Sequence, residues 1–195
     1  GRPLCLTSDG QTVAIGAAGN DGNNSSSAHV RVYGDDGSTG EQLGADINGQ
    51  SASHNSGVSV SLSSDGQTVA IGAPYNSGNG LSSGHVRVYG YDGSTWTQRG
   101  ADIDGEVAFD ESGRSVSLSS DGQTVAIGAT GNDGNGSFSG HVRVYGYDGS
   151  TWEQLGDDID GEAARDDSGR SVPLSSDGQP VAVGAIGNDA NGSFS

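Results

Sequence analysis

Apolar and polar residues alternate along this chain in short runs. Val116 and Leu118 are separated by single serines, Val125 and Ile127 by alanine, and Val142 and Val144 face one way while Arg143 and Tyr145 face the other. A period of two over four to seven residues predicts strands with one apolar face. Asp121-Gly122 lies between the first two runs, and Asp-Gly between alternating apolar residues predicts a tight hairpin with both turn positions at positive φ. Tyr147-Asp148-Gly149-Ser150 predicts the next turn, leading into a further strand from Thr151 to Gly156. The pattern therefore predicts four short strands in one unit. No apolar stripe of period 3.6 appears, and the glycine density argues against helices.

The unit recurs. SDGQTVAIGA begins at Ser8, Ser64 and Ser120, and SDGQPVAVGA begins at Ser176, a spacing of 56 residues each time. HVRVYG begins at His29, His85 and His141, and STGEQLG, STWTQRG and STWEQLG begin at Ser38, Ser94 and Ser150, with nothing inserted between copies. Four antiparallel strands in a unit of this size predict an all-β fold, a β-propeller whose blades bury small and β-branched residues on both faces. An open β-solenoid is the alternative. The register divides the chain into blades at 1–56, 57–112 and 113–168 and a half blade at 169–195. About three and a half blades do not close a propeller of the usual four to eight. The hairpin edge from Ser171 to Ala185 is thus expected to pair with other chain, in self-association, in a longer parent or in a head-to-tail filament. The end copies are atypical: Asp35 and Gly40 stand where later copies carry Tyr91 and Trp96, and Pro173 and Pro180 enter strand positions.

The segment SGRSVSLSSDGQTVAIGAT (112–130), and its counterpart from Ser56-Gly57 through Gly72-Ala73-Pro74, resembles the FG-GAP repeat of integrin-α-type β-propellers and of microbial and algal surface proteins. The resemblance runs over essentially the whole chain. It implies a propeller at the cell surface or outside the cell, with a structural or adhesive role. Ser56, Ser112 and Ser168 replace the usual Phe of the motif, and Pro74 is the one intact GAP proline. Calcium-binding members of that family carry a D-x-D-x-D-G loop between the first two strands. Here a short SSDGQ turn stands in that place, so that calcium site is not carried over.

Composition changes the picture in three ways. Only 31% of the residues are hydrophobic and 36 are glycine, a balance that alone suggests disorder and that the periodicity overturns. The net charge of -17, from 25 acids against 8 Lys and Arg, disfavours nucleic acid and anionic lipid as partners, and no apolar run is long enough to insert in a membrane. Cys5 is the single cysteine, which excludes an intrachain disulfide. The absence of methionine and of a basic-then-apolar leader suggests a processed chain or a piece of a longer one.

The loops between blades hold twelve of the 25 acids, among them Asp102, Asp104, Asp110, Asp158, Asp160 and Asp166. Oxygen-rich loops suit Ca²⁺, with Asp133 in a neighbouring loop as a further ligand; the competing reading is a solvated rim, since no EF-hand spacing occurs. Asn132 to Gly136 is explained equally by turn geometry. Sequons at Asn23, Asn24, Asn135 and Asn191 predict a glycoprotein. His29, His85 and His141, with Arg31, Arg87 and Arg143 and Tyr33, Tyr89 and Tyr145 behind them, predict a polar ladder between blades rather than a metal ring. Each candidate nucleophile or base is copied with the repeat, whereas active sites are single asymmetric constellations, so the sequence predicts no enzyme. The expected function is an extracellular structural or adhesive module that completes its blades with another chain. The alternative is a propeller that binds glycan or Ca²⁺ through equivalent loops.

Overall fold

The computed structural model describes residues 3–18, 28–35, 37, 39–51 and 54–188. Each 56-residue copy folds into one antiparallel sheet. In the second blade, Ser59–Leu62, Thr68–Ala73 and His85–Tyr91 pair in that order, and the fourth strand is split into Trp96–Gln98 and Ile103–Asp104, both on the edge of the third. The first blade (Leu4–Leu6, Thr12–Ala17, His29–Asp35, Gly40–Gln42, Ile47–Asn48) and the third (Ser115–Leu118, Thr124–Ala129, His141–Tyr147, Trp152–Gln154, Ile159–Asp160) repeat this plan. Ser168–Ser171 and Gly184–Ala185 begin a fourth. Among the described residues no helix is long and apolar enough to cross a membrane.

Two local features differ from the sequence expectation. The first hairpin is a four-residue loop closed by Ser119 and Thr124, in which Gly122 has φ +66° while Asp121 stays outside the left-handed region. Asp121 instead folds its Oδ1 over the turn, accepting from Ser119 Oγ at 2.6 Å and Gln123 N at 3.0 Å, so one positive φ suffices. The fourth strand is interrupted by a wide bulge. Val86 faces Ile103 and Tyr89 faces Gln98, so the outer strand advances five residues while its partner advances three, around Gly100 at φ +72°.

The apolar core lies between blades. At the seam of blades 2 and 3, Ala70, Val86, Val88 and Ile103 receive Leu118, Val125, Ile127 and Tyr145 from the next blade, and the seam of blades 1 and 2 repeats the arrangement. Full burial of each Val or Ile contributes roughly 1.5–3 kcal/mol, so the seams hold the array together. Polar bonds fix their register. Leu118 N donates to Ser61 Oγ at 3.0 Å and Leu174 N to Ser117 Oγ at 3.1 Å, while Cys5 Sγ takes the equivalent place against Leu62 N at 3.3 Å. Trp96 Nε1 donates to Leu43 O at 2.7 Å and Trp152 Nε1 to Arg99 O at 2.8 Å, each reaching into the bulge of the preceding blade. Inner strand thus stands beside inner strand. This is the blade stacking of a β-propeller and not an open β-solenoid.

Candidate functional site

The bulge explains a recurring spacing. Its turn at Gly44, Gly100 or Gly156 brings an aspartate back over the sheet, four residues after a glutamine. Gln42, Gln98 and Gln154 donate to Asp46, Asp102 and Asp158 at 2.9, 2.8 and 2.7 Å. In blades 1 and 2 the third-strand arginine closes the set: Arg31 grips Asp46 through Nε and Nη2, both at 2.9 Å, and Arg87 grips Asp102 at 2.9 and 3.0 Å. Arg31, hydrogen-bonded to the carboxylate, holds Asp46 below the usual carboxylate range.

The expected ladder of His, Arg and Tyr between blades is therefore corrected. Arg31 and Arg87 pair within their own blades, and among the described arginines of this row only Arg143 crosses a seam. Its Nη2 donates to Asp104 O at 3.3 Å, and its Nη1 lies 3.5 Å from the Glu106 carboxylate. The cause is one residue: the linker position that is Gln50 before blade 2 is Glu106 before blade 3. A neutral amide leaves Arg87 with Asp102 and itself donates to Asp102 at 3.2 Å, whereas a carboxylate draws Arg143 away from Asp158. Tyr89 and Tyr145 pack in the seams, and Tyr33 lies outside both seams among the described residues.

His85 and His141 are buried beneath these groups, with Nδ1 3.4 Å from Asp102 and 3.5 Å from Asp158; His29 lies 4.0 Å from Asp46. Burial pushes the His85 imidazolium down to about 4 and outweighs the pull of Asp102, whose charge Arg87 already shares. Burial lowers His141 as well, and raises Asp104, with the Asp102 charge adding to the rise. A histidine held neutral in the fold and ordinary in the unfolded chain contributes stability that is complete above pH 6.5 and is lost as pH falls toward 4. Denaturant unfolding is expected to lose about 3 kcal/mol between pH 7 and pH 4 through His85. A His85→Gln chain, measured at the same pH values, is expected to show a flatter profile.

Among the described residues two trios gather ligand-type atoms within 4.8 Å: His85 with Asp102 and Asp104, and His141 with Glu106 and Asp158. Their donor chemistry does not suit Ca²⁺, which takes oxygen ligands, and the Asp102 carboxylate is already occupied by Arg87, Gln98 and Gln50. A cation on Nδ1 of His141 would also force the ring proton onto Nε2, which is buried without a partner among the described residues. The remaining acids of the loops are separate from these trios. Asp110 and Asp166 are buried loop clamps, Asp160 is exposed on the outer strand, and Asp133 Oδ1 accepts from Phe138 N at 2.8 Å. Asn135 is exposed and donates to Gly161 O at 3.0 Å; Asn23, Asn24 and Asn191 lie outside the described residues. Sequence reasoning missed the clamps and the glutamine–aspartate pairs, although the recurring Q-x-G-x-D spacing was there to be read. It also missed Phe109 and Phe138, exposed on loops at φ +71° and +57°.

No family model matches the chain, and neither does any curated protein. Solved structures do. A protein from Bacteroides uniformis ATCC 8492 named as a putative 6-phosphogluconolactonase is similar at 11% identity with a TM-score of 0.59, over 96% of this chain and 48% of its own. Its namesake from Bacteroides fragilis NCTC 9343 is similar at 14% identity with a TM-score of 0.53, over 80% of this chain and 38% of its own. The chain thus spans less than half the length of either. At such identities the likeness establishes the propeller fold alone. It does overturn the expectation of no enzyme. That expectation rested on blade repetition, and the similar folds belong to proteins named for an enzymatic activity, so a repeated blade scaffold is no argument against catalysis.

Proposed function

We propose that this chain is a run of blades from an extracellular or cell-surface adhesive β-propeller of the FG-GAP kind, which docks further blades onto the open face of its first blade. One observation carries the reading. Leu62 and Leu118, seated in seams, are 8% and 7% exposed, whereas Leu6 at the equivalent place is 55% exposed and its strand neighbour Leu4 is 62% exposed. An inner strand that buries its leucine in every seam presents the same leucine to solvent at this face, where it forms a ready apolar contact. A second copy stacked head to tail supplies the cover, with a filament where the rotation fails to close, and so does a neighbouring stretch of a longer parent. The greater length of the similar solved propellers supports the need for more blades. The sequon at the exposed Asn135 supports a glycoprotein.

Native mass spectrometry of the natural protein is expected to give either a multiple of this chain or a longer chain, with Leu4 to Leu6 protected from hydrogen exchange. Leu6→Asp is expected to release the multiple to single chains or, in a longer parent, to remove that protection. A wild-type single chain of this length with a freely exchanging Leu4–Leu6 strand overturns the reading.

A further inference from the structure

Arg99 breaks the repeat. The same position is Leu43 in blade 1 and Leu155 in blade 3, and both leucines lie over a glycine of their third strand, Gly34 and Gly146. Arg99 lays its stem over Gly90 in the same way, then carries a guanidinium into the seam with blade 3. There its Cζ sits 4.6 Å from the centre of the Tyr147 ring, and Nη1 donates to Thr68 Oγ1 at 3.0 Å and to Gly122 O at 3.4 Å. Among the described residues no carboxylate comes within 4.0 Å of it, although its charge acts at longer range on the carboxylate of Asp121, so Arg99 is a positioned cation with no direct ion pair.

The guanidinium stands in a shallow, largely open hollow of about 420 Å³ at the turn end of the seam, with Asp65, Gln67, Tyr91, Asp121 and Gln123 around it. The volume lies within the roughly 300–1,000 Å³ of small-molecule sites. Adjacent turns are tied together by Ser64 N donating to Ser120 O at 2.9 Å, which sets Asp65 beside Asp121 across the seam. In both aspartates Oδ1 is used within the turn, and among the described residues no bond falls on Oδ2. Asp92, also in the wall, has both oxygens taken by Ser94 and Thr95.

Two free acceptors and a pinned donor in one hollow select the ligand. An anion meets two carboxylates, and a cation meets Arg99. A neutral polyol satisfies both, because each hydroxyl donates to an Oδ2 and accepts from the guanidinium. We propose that the Asp65–Arg99–Asp121 hollow is a binding site for a neutral saccharide of one or two rings. Stacking on Tyr147 and the bond to Thr68 pre-organise Arg99, so little freedom is lost on binding. The site lies inside the chain at a seam the repeat has already closed, and it operates whether or not further blades dock on blade 1.

The blades on either side supply the control. Arg99→Leu installs the residue that Leu43 and Leu155 place over the same hollow, and a folded chain that melts only modestly earlier is expected, from the lost hydrogen bonds and ring contact. Titration calorimetry with the methyl glycosides of glucose, galactose, mannose and N-acetylglucosamine, and with their disaccharides, is expected to find at least one ligand with Kd near or below about 1 mM. Arg99→Leu is expected to weaken that ligand at least tenfold and Asp121→Asn severalfold. A wild-type chain that takes none of these sugars at about 10 mM, or an Arg99→Leu chain that binds as well as wild type, overturns the site. So does binding confined to sulfated or uronic sugars.

Discussion

Replacing Gly72 by alanine is expected to cost about 3–4 kcal/mol and to lower the melting temperature by roughly 10 °C. Gly72 closes the second strand of blade 2, and its φ lies outside the left-handed region, so the backbone alone does not require glycine there. The requirement comes from the neighbouring blade. A Cβ at this position would fall on the carbonyl oxygen of Gly113 and on Ser59 Oγ. The hydroxyl can turn away, but the carbonyl belongs to backbone that is itself fixed. Gly113 N donates to Gly128 O at 3.1 Å, and Gly113 O accepts from Ser59 Oγ at 2.8 Å. Relief therefore means opening the seam that holds Val86, Val88, Leu118 and Ile127. Gly16 and Gly128 meet Gly57 O and Gly169 O in the same way, so the glycine of each G-A pair is the point where one blade's backbone touches the next. Gly40→Ala is the control: among the described residues nothing lies within 4 Å of its Cβ, and its melting curve is expected to match wild type within about 0.5 kcal/mol. A Gly72→Ala chain that melts with the control would show that the seams are looser than these contacts require.

The same residues show what a repeat makes legible. Strands such as His85–Tyr91 and Thr68–Ala73 fall where alternation places them, because period two is a local property of the chain and survives any packing. The blade count and the half blade follow from arithmetic on the period. The split fourth strand could not be read, because a bulge depends on how two strands come into register, and Leu-Gly-Ala-Asp carries only one glycine as a hint. With the bulge went the arginine–aspartate pairs, which exist only once Asp46 and Asp102 are turned back over the sheet. The ladder follows from equivalent positions on one strand face, and one linker residue, Gln50 against Glu106, decides whether an arginine stays in its blade. Arg99 was hidden for the opposite reason. Attention to copied residues passes over the single position where a copy differs, and an asymmetric site is built at such a position.

Asp110→Ala is expected to cost about 2–4 kcal/mol and to free the linker from Glu106 to Glu111. Asp110 is 1% exposed. Its Oδ2 accepts from Glu106 N at 3.0 Å and Val107 N at 2.9 Å, and its Oδ1 accepts from Asn132 Nδ2 at 3.2 Å. Removing the carboxylate leaves three donors without an acceptor in a space too enclosed for free hydration, and an unmet buried donor costs about 1–3 kcal/mol. Asp110→Asn keeps one oxygen for the two backbone donors and gives up the bond to Asn132, so about 1 kcal/mol is expected. Hydrogen exchange separates a local from a global effect: the amides of Glu106, Val107 and Phe109 are expected to exchange faster in Asp110→Ala while those of His85 to Tyr91 keep their protection. The result also bears on the acidic loops as a whole. If Asp110 is a clamp, the loss is the same in calcium and in chelator, because the carboxylate is saturated by protein donors. A loss seen only in calcium would make the carboxylate a cation ligand instead, and would reopen the reading of these loops as an ion site.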